Sequence, residues 1–188
     1  MENEKLVDFF RELLKLKKTQ RSGWVVSGVK DVESVADHSF MTILMVLFLG
    51  WRKNIDLGKA LKMAIIHDIA ESRTGDIITW EDFHMKRDEK EEIEEKTMKD
   101  LLSILGDQGE EYFNLWKEYQ VRKSEEAKFV KAVDNLEMIL QALEYEKEEK
   151  DLNRYIKTFF EGEDVKLIDD TDKDLSELVK FIISLRKK

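Results

Sequence analysis

Only three histidines occur in the 188 residues, at His38, His67 and His84, and two of them interrupt apolar helical sequence. His38 stands in Val35-Ala36-Asp37-His38-Ser39-Phe40, and His67 in Ile65-Ile66-His67-Asp68-Ile69-Ala70. Asp68 and Asp134 are carboxylates in equally apolar company, the second within Phe129-Val130-Lys131-Ala132-Val133-Asp134. Burying an ionised carboxylate without a partner costs several kcal/mol or more. A divalent cation shared by these groups removes that cost. Two imidazoles and two carboxylates suit a transition metal that keeps positions open for water. Taken singly, each residue has a plainer explanation. A core histidine is commonly just hydrogen-bonded, and Asp134 can pair with Lys131 or a helix end. The joint pattern, a His on one core helix, His-Asp on the next and an Asp on a later one, favours the metal.

Such a cluster needs helices to hold it. Pro is absent and Gly numbers 8, so little interrupts long helices. Apolar residues recur at helical spacing almost throughout, no alternating run supports a strand, and an all-α fold follows. The first helix is expected over about Glu4 to Lys18, with Leu6, Phe9, Phe10, Leu13 and Leu14 on one face. A loop, Thr19 to Asp31, contains Gly23 and Gly28. Ser34 and Asp37 form a capping-box-like start for the second helix, whose Phe40–Leu49 segment, apolar nearly all round, is expected to be central and buried. Asp56 N-caps a third helix reaching about Glu71.

A charged helix follows from about Glu81 to Leu105, closed by Gly106 and Gly109. Its pairs Glu92–Lys96 and Glu95–Lys99 indicate a solvated face. Glu110 to Tyr119 forms a short amphipathic helix. Ser124 caps a long one, Glu125 to about Glu148, with Phe129, Val133, Leu136, Leu140 and Leu143 as its apolar stripe. A last helix is expected from about Thr171 to Leu185. With no internal repeat and no linker, residues 1–188 read as a single domain.

The net charge of -9 argues against a nucleic-acid polymer as partner, since such binding draws on a basic surface. A small phosphorylated substrate is still allowed, because a bound divalent cation reverses the local field. With no Cys, disulfides and thiolate metal sites are excluded, and any metal sits on nitrogen and oxygen. Met1-Glu2-Asn3-Glu4 does not look like a secretory start, and the Phe40–Leu49 run is about half the length that crosses a bilayer. A soluble, cytoplasmic protein without a membrane partner is the expectation. His84 lies on a charged segment and reads as a surface residue.

The ordered set His…His-Asp…Asp on successive helices resembles the HD superfamily of metal-dependent phosphohydrolases. The flanking sequence is similar to one branch of it, the HD-domain 5'-deoxynucleotidases. Arg21-Ser22-Gly23-Trp24, Glu33-Ser34-Val35-Ala36-Asp37-His38, His67-Asp68-Ile69-Ala70-Glu71 and Thr74-Gly75-Asp76-Ile77 carry that likeness. So do Glu126-Ala127-Lys128-Phe129-Val130-Lys131 and, after Asp134, Glu137-Met138-Ile139-Leu140-Gln141-Ala142. It covers about residues 6–146, while residues 150–188 match loosely and are expected to pack on that core.

The resemblance implies a compact HD-domain bundle with one divalent metal (Mn, Co, Ni, Fe, Zn or Mg) between core helices, held by His38, His67, Asp68 and Asp134. It implies a phosphoric monoester hydrolase that strips the 5'-phosphate from deoxyribonucleoside monophosphates. Glu71, one helical turn after His67, would handle the proton. Asp76 would contact the sugar or share the proton work, and Arg21 would hold the phosphate. Trp24 would approach the sugar as a pocket wall, or else belong to the core. Two metals would need more histidines. Family members of this kind are commonly homodimers. Other HD activities, on triphosphates, cyclic nucleotides or an alarmone, are the nearest alternative, and a catalytically silent metal- or nucleotide-binding sensor is another.

Overall fold

The computed structural model describes residues 2–186; residues 1, 187 and 188, the ends of the expected domain, lie outside the described residues. Ten helices follow one another among the described residues: α1 (Glu2–Leu13), α2 (Ser22–Ser27), α3 (Val35–Gly50), α4 (Leu57–Ile66), α5 (Glu71–Thr74), α6 (Arg87–Ser103), α7 (Asp107–Gln120), α8 (Glu125–Glu148), α9 (Glu163–Thr171) and α10 (Lys173–Leu185). Short 3-10 segments, Leu14–Lys17 and Arg154–Phe160, sit between them. Extended pairing among these residues is limited to one bridge, Gln20 with Ser34, so the fold is all-α. Among the described residues no helix is long and apolar enough to cross a membrane.

Three caps set the starts of the helices that matter most. Ser34 accepts the Asp37 amide at 3.2 Å while the Asp37 carboxylate accepts the Ser34 amide at 2.9 Å, a complete capping box for α3. Asp56 accepts the Lys59 amide at 3.0 Å to begin α4, and Ser124 accepts that of Ala127 at 3.2 Å to begin α8. α8 is the central post. Its Val130, Val133, Leu136 and Ala142 are fully buried, and α3, α4, α7, α9 and α10 all pack against it.

α3 departs from its expected place at the centre. Val35, His38, Thr42 and Val46 face inward, but Phe40 and Phe48 are 60% and 73% exposed, and Met41, Leu47 and Trp51 lie open beside them. An apolar run cannot distinguish burial on all sides from burial on one side only, and here α3 lies on the perimeter. α1 also differs from expectation: Phe9 is buried, whereas Leu6, Phe10 and Leu14 are exposed. The expected loop of residues 19–31 contains α2, which ends at Gly28 in the left-handed region, φ +88°. α9 and the 3-10 segment before it were not expected, and the charged helix starts at Arg87 rather than near Glu81.

The third expected helix breaks after Ile66. Residues 67–70 form tight turns whose amides bond three residues back, Glu71 to Asp68 at 3.0 Å and Ser72 to Ile69 at 3.2 Å. The indole of Trp116 donates to the His67 carbonyl at 3.1 Å, giving that oxygen a partner outside the helical ladder. Glu71 therefore begins α5 and does not continue the helix that ends at Ile66.

Two ion-pair clasps tie the C-terminal helices down. Lys53, after α3, pairs with Asp172 and Asp174 at 2.7 Å, and Asp172 also caps α10 by accepting the Asp174 and Leu175 amides. Arg186 grips Glu146 of α8 through two nitrogens at 2.7 Å and lies 3.7 Å above the Phe160 ring.

Candidate metal centre

The four expected ligands come from three places: His38 from the second turn of α3, His67 and Asp68 from the break after α4, and Asp134 from the middle of α8. A nitrogen from each histidine and an oxygen from Asp134 lie within 4.8 Å of one another. His38 Nε2 is 3.1 Å from Asp134 Oδ1 and 3.7 Å from Asp68 Oδ2. His67 Nε2 is 3.2 Å from Asp68 Oδ2 and 4.0 Å from Asp134 Oδ1. Both histidines are buried, yet neither Nε2 has a hydrogen-bond partner, because these short approaches are poorly aligned for one. Two orphaned imidazole nitrogens and an Asp134 oxygen converging in a buried space, with Asp68 Oδ2 beside the histidines, fit a divalent cation.

Three of the four expected ligands are oriented from behind. His38 Nδ1 is 2.6 Å from Glu137 Oε2, and His67 Nδ1 is 2.8 Å from the Ala64 carbonyl, so both rings present Nε2 to the centre. Asp134 Oδ2 accepts from the Tyr119 hydroxyl at 2.9 Å and from Lys131 Nζ at 2.8 Å, leaving Oδ1 free. Burial opposes the charge of Asp134, but Lys131 and the two histidines hold its carboxyl below the usual range. Asp68 is lowered too, against burial, by His67 and Arg21. Burial and nearby Arg21 work against protonation of His38, yet Glu137 and Asp134 outweigh them and raise it to about 10.

Beside the ligands sit the other expected site residues. Arg21 Nη1 lies 3.3 Å from Asp68 Oδ2 and 3.9 Å from both Glu71 Oε2 and Asp76 Oδ1, with Nη2 on the Met138 sulfur at 3.1 Å. Glu71 is 3% exposed and its Oε2 has no hydrogen bond. Burial, then Asp68 and Asp76, push its carboxyl well above the ordinary value. Asp76 accepts the Ser22 amide at 2.7 Å, and the Ser22 hydroxyl donates to the Asp76 carbonyl at 2.6 Å. The loop after Gly75 is thereby fastened to the start of α2, where Arg21 is the N-cap.

Trp24 is not brought to this group. It is 1% exposed, donates to Glu33 Oε1 at 2.7 Å, and packs on Phe159 with ring centroids 4.0 Å apart. Of the two sequence options, pocket wall and core, its burial matches the core. His84 is exposed, on a surface pocket that Ser22 and Asp76 also line. The Lys131–Asp134 pair was expected from sequence; residues that sequence reasoning missed include Tyr119 and Glu137 behind the expected ligands, and Lys90 and Glu94 of α6 near Glu71. Glu137 follows Asp134 by three residues, so helical spacing alone could have put it on the same face. Tyr119 and Lys90 carry no comparable signal, because only the packing of α6 and α7 brings them in.

Fold and cluster together define a metal-binding helical bundle. A family model for the HD domain matches residues 13–173, and the chain belongs to that family. It is 39% identical over 166 residues to "5'-deoxynucleotidase HDDC2" of Dictyostelium discoideum, covering 83% of this chain and 86% of that one. The Homo sapiens protein of the same name is 40% identical over 143 residues, covering 75% and 68%. Among solved structures, a conserved hypothetical protein from Pyrococcus furiosus superposes with a TM-score of 0.77 at 32% identity, over 97% of this chain and 99% of that one.

Proposed function

We propose that this chain is a metal-dependent 5'-deoxynucleotidase, which hydrolyses deoxyribonucleoside 5'-monophosphates to the deoxynucleoside and inorganic phosphate. One observation carries the reading beyond the likeness to named relatives. Two buried, unpartnered imidazole nitrogens face Asp68 and Asp134, with Arg21 and Glu71 at their side. Mere metal storage has no use for a buried arginine and a buried carboxyl next to the ligands.

In this reading His38, His67, Asp68 and Asp134 hold one divalent cation. When bound, it supplies Lewis acidity, lowering the pKa of water and offsetting phosphoryl charge. Arg21 sits where its guanidinium can turn from Asp68 to phosphate oxygens, for which its planar fork is suited. Glu71 Oε2, buried and free of other bonds, holds or passes the proton as the water oxygen bonds to phosphorus and the bond to O5' breaks. The leaving O5' departs protonated. Asp76, fixed by Ser22 and facing Arg21, restrains that arginine and borders the sugar.

The proposal extends to four finer points. Two imidazoles favour a first-row transition ion over Mg, and elemental analysis of protein purified without chelator identifies it. The chain acts as one HD domain and in the cytoplasm. It pairs with a second copy of itself through the exposed apolar side of α3, with Phe40 and Phe48, and Trp51 just beyond its end. Sedimentation of the Phe48→Asp protein tests that pairing.

The test of the function is phosphate release from a panel of deoxy- and ribonucleoside monophosphates, with Mn or Co added and His67→Ala run alongside. Activity on the deoxy series that disappears in the variant supports the reading. A pure, metal-loaded protein inert towards the whole panel overturns it.

A further inference from the structure

We infer that Lys90 is a second phosphate-binding cation of this site, acting from the side of Glu71 opposite Arg21; the inference rests on the phosphate monoester reading above. Glu71 lies between the two cations. Arg21 Nη1 is 3.9 Å from its Oε2, and Lys90 Nζ is 3.9 Å from its Oε1. Lys90 belongs to the first turn of α6, and its side chain is 24% exposed. It opens on a cavity of about 630 Å3 lined also by Asp68, Thr79, Glu94, Tyr119 and Lys131, a size suited to a small ligand. Asp68 is common to this cavity and the metal cluster, so a phosphate entering there meets both.

The argument turns on unspent donors. An ammonium group has three N–H bonds to give. Lys131, on the same cavity, already donates to Asp134 at 2.8 Å. Arg21 has one nitrogen towards Asp68 and another on the Met138 sulfur. Lys90 makes one good hydrogen bond, to the Ile77 carbonyl at 3.1 Å, which moors it to the loop after Asp76. Its carboxylate neighbours, Glu94 at 3.5 Å and Glu71 at 3.9 Å, stabilise its charge from beyond good hydrogen-bonding distance.

A phosphate monoester dianion also needs this charge. It must approach Asp68, Glu71, Asp76 and Asp134 together, and like charges at such range repel unless cations intervene. Arg21 alone faces three of those carboxylates. Lys90, on a flexible stem, adds a mobile point charge where the guanidinium supplies a fixed fork.

The experiment uses metal-loaded wild type, Lys90→Met, Lys90→Arg and Glu92→Gln. Inorganic phosphate binding is followed by calorimetry, and kcat and KM are measured on a deoxynucleoside monophosphate. Lys90→Met is expected to weaken phosphate binding about 10- to 100-fold and raise KM in parallel, as loss of a charge-assisted hydrogen bond predicts. Lys90→Arg should recover most of the loss, and Glu92→Gln, on the exposed side of the same helix, should leave phosphate affinity within about threefold. Should Lys90→Met not fold, Lys90→Gln replaces it. Unchanged phosphate affinity without the lysine charge overturns the inference; if kcat alone falls, Lys90 only steadies Glu71. Wild type that binds phosphate through Lys90 but turns over no nucleotide would sink the nucleotidase reading and leave this one standing.

Discussion

His38 and Glu137 meet at 2.6 Å in the seam between α3 and α8, and that contact turns the far nitrogen of the imidazole towards Asp134. A carboxylate behind a ligating histidine fixes its tautomer and raises its basicity. Glu137→Gln keeps the shape but removes the charge. It should lower metal affinity about 10- to 100-fold while the protein stays folded. Chelator competition with Co, together with a melting curve, checks both halves; full affinity would mean that α3 packing alone aims the ring.

Tyr119 secures the other side of the centre through its bond to Asp134 Oδ2. Burial and Asp134 raise its pKa, so it stays a donor at every physiological pH. Tyr119→Phe leaves Lys131 as that oxygen's remaining donor, and stability should fall by about 1–3 kcal/mol. Urea unfolding of the metal-free protein measures the cost without interference from the cation.

Arg21 should separate binding from folding. Its immediate neighbours are carboxylates, so removing it leaves Asp68, Glu71 and Asp76 facing one another. Arg21→Lys keeps a charge but loses the fork, and kcat/KM on a deoxynucleoside monophosphate should fall by about 10-fold or more. Steady-state kinetics with the melting temperature as control decides; an unchanged kcat/KM removes Arg21 from the substrate.

Acid should loosen the C-terminal clasp. Burial alone would raise the Asp172 carboxyl, but Lys53 and the α10 amides outweigh it and hold it below the ordinary carboxylate value. A folded pKa below the unfolded one gives stability that is fully present above about pH 4 and lost as pH falls through the folded value. Asp172→Asn keeps the cap and deletes the charge. The variant should be less stable than wild type by about 1 kcal/mol or less at pH 7, with the gap closing towards pH 3. A gap that widens in acid would reverse the assignment.

Ligand removal tests the centre as a whole. A cation that binds only the folded state at a hundred times its Kd adds about 2.7 kcal/mol of stability. Chelation should therefore lower the melting temperature of wild type and leave His67→Ala nearly unmoved. Differential scanning fluorimetry with and without chelator reads both.

Sequence alone revealed the helix caps Ser34, Asp56 and Ser124, since a cap is a local bargain between one side chain and the next turn. The meeting of His38, His67 and Asp134 was legible too, because charged groups in apolar helical sequence demand an explanation. Features set by tertiary contacts were hidden. The break at His67 depends on Trp116, some fifty residues away, and the apolar rhythm runs through it without a mark. The exposed side of α3 has the composition of a core, and the place of Trp24 depended on whether Phe159 would come to cover it. Lys90 looks like any lysine of a charged helix until α6 is packed beside Glu71.

The ligands span the chain from residue 38 to residue 134, on α3, on the break before α5, and on α8. A bound cation therefore works as a removable cross-link, closing two long loops much as a disulfide would in a chain that has no cysteine. One scission in the connection between α5 and α6 would leave two fragments joined at the ion as well as by packing. Such a nicked protein would stay in one piece while loaded and lose that extra tie when stripped of metal.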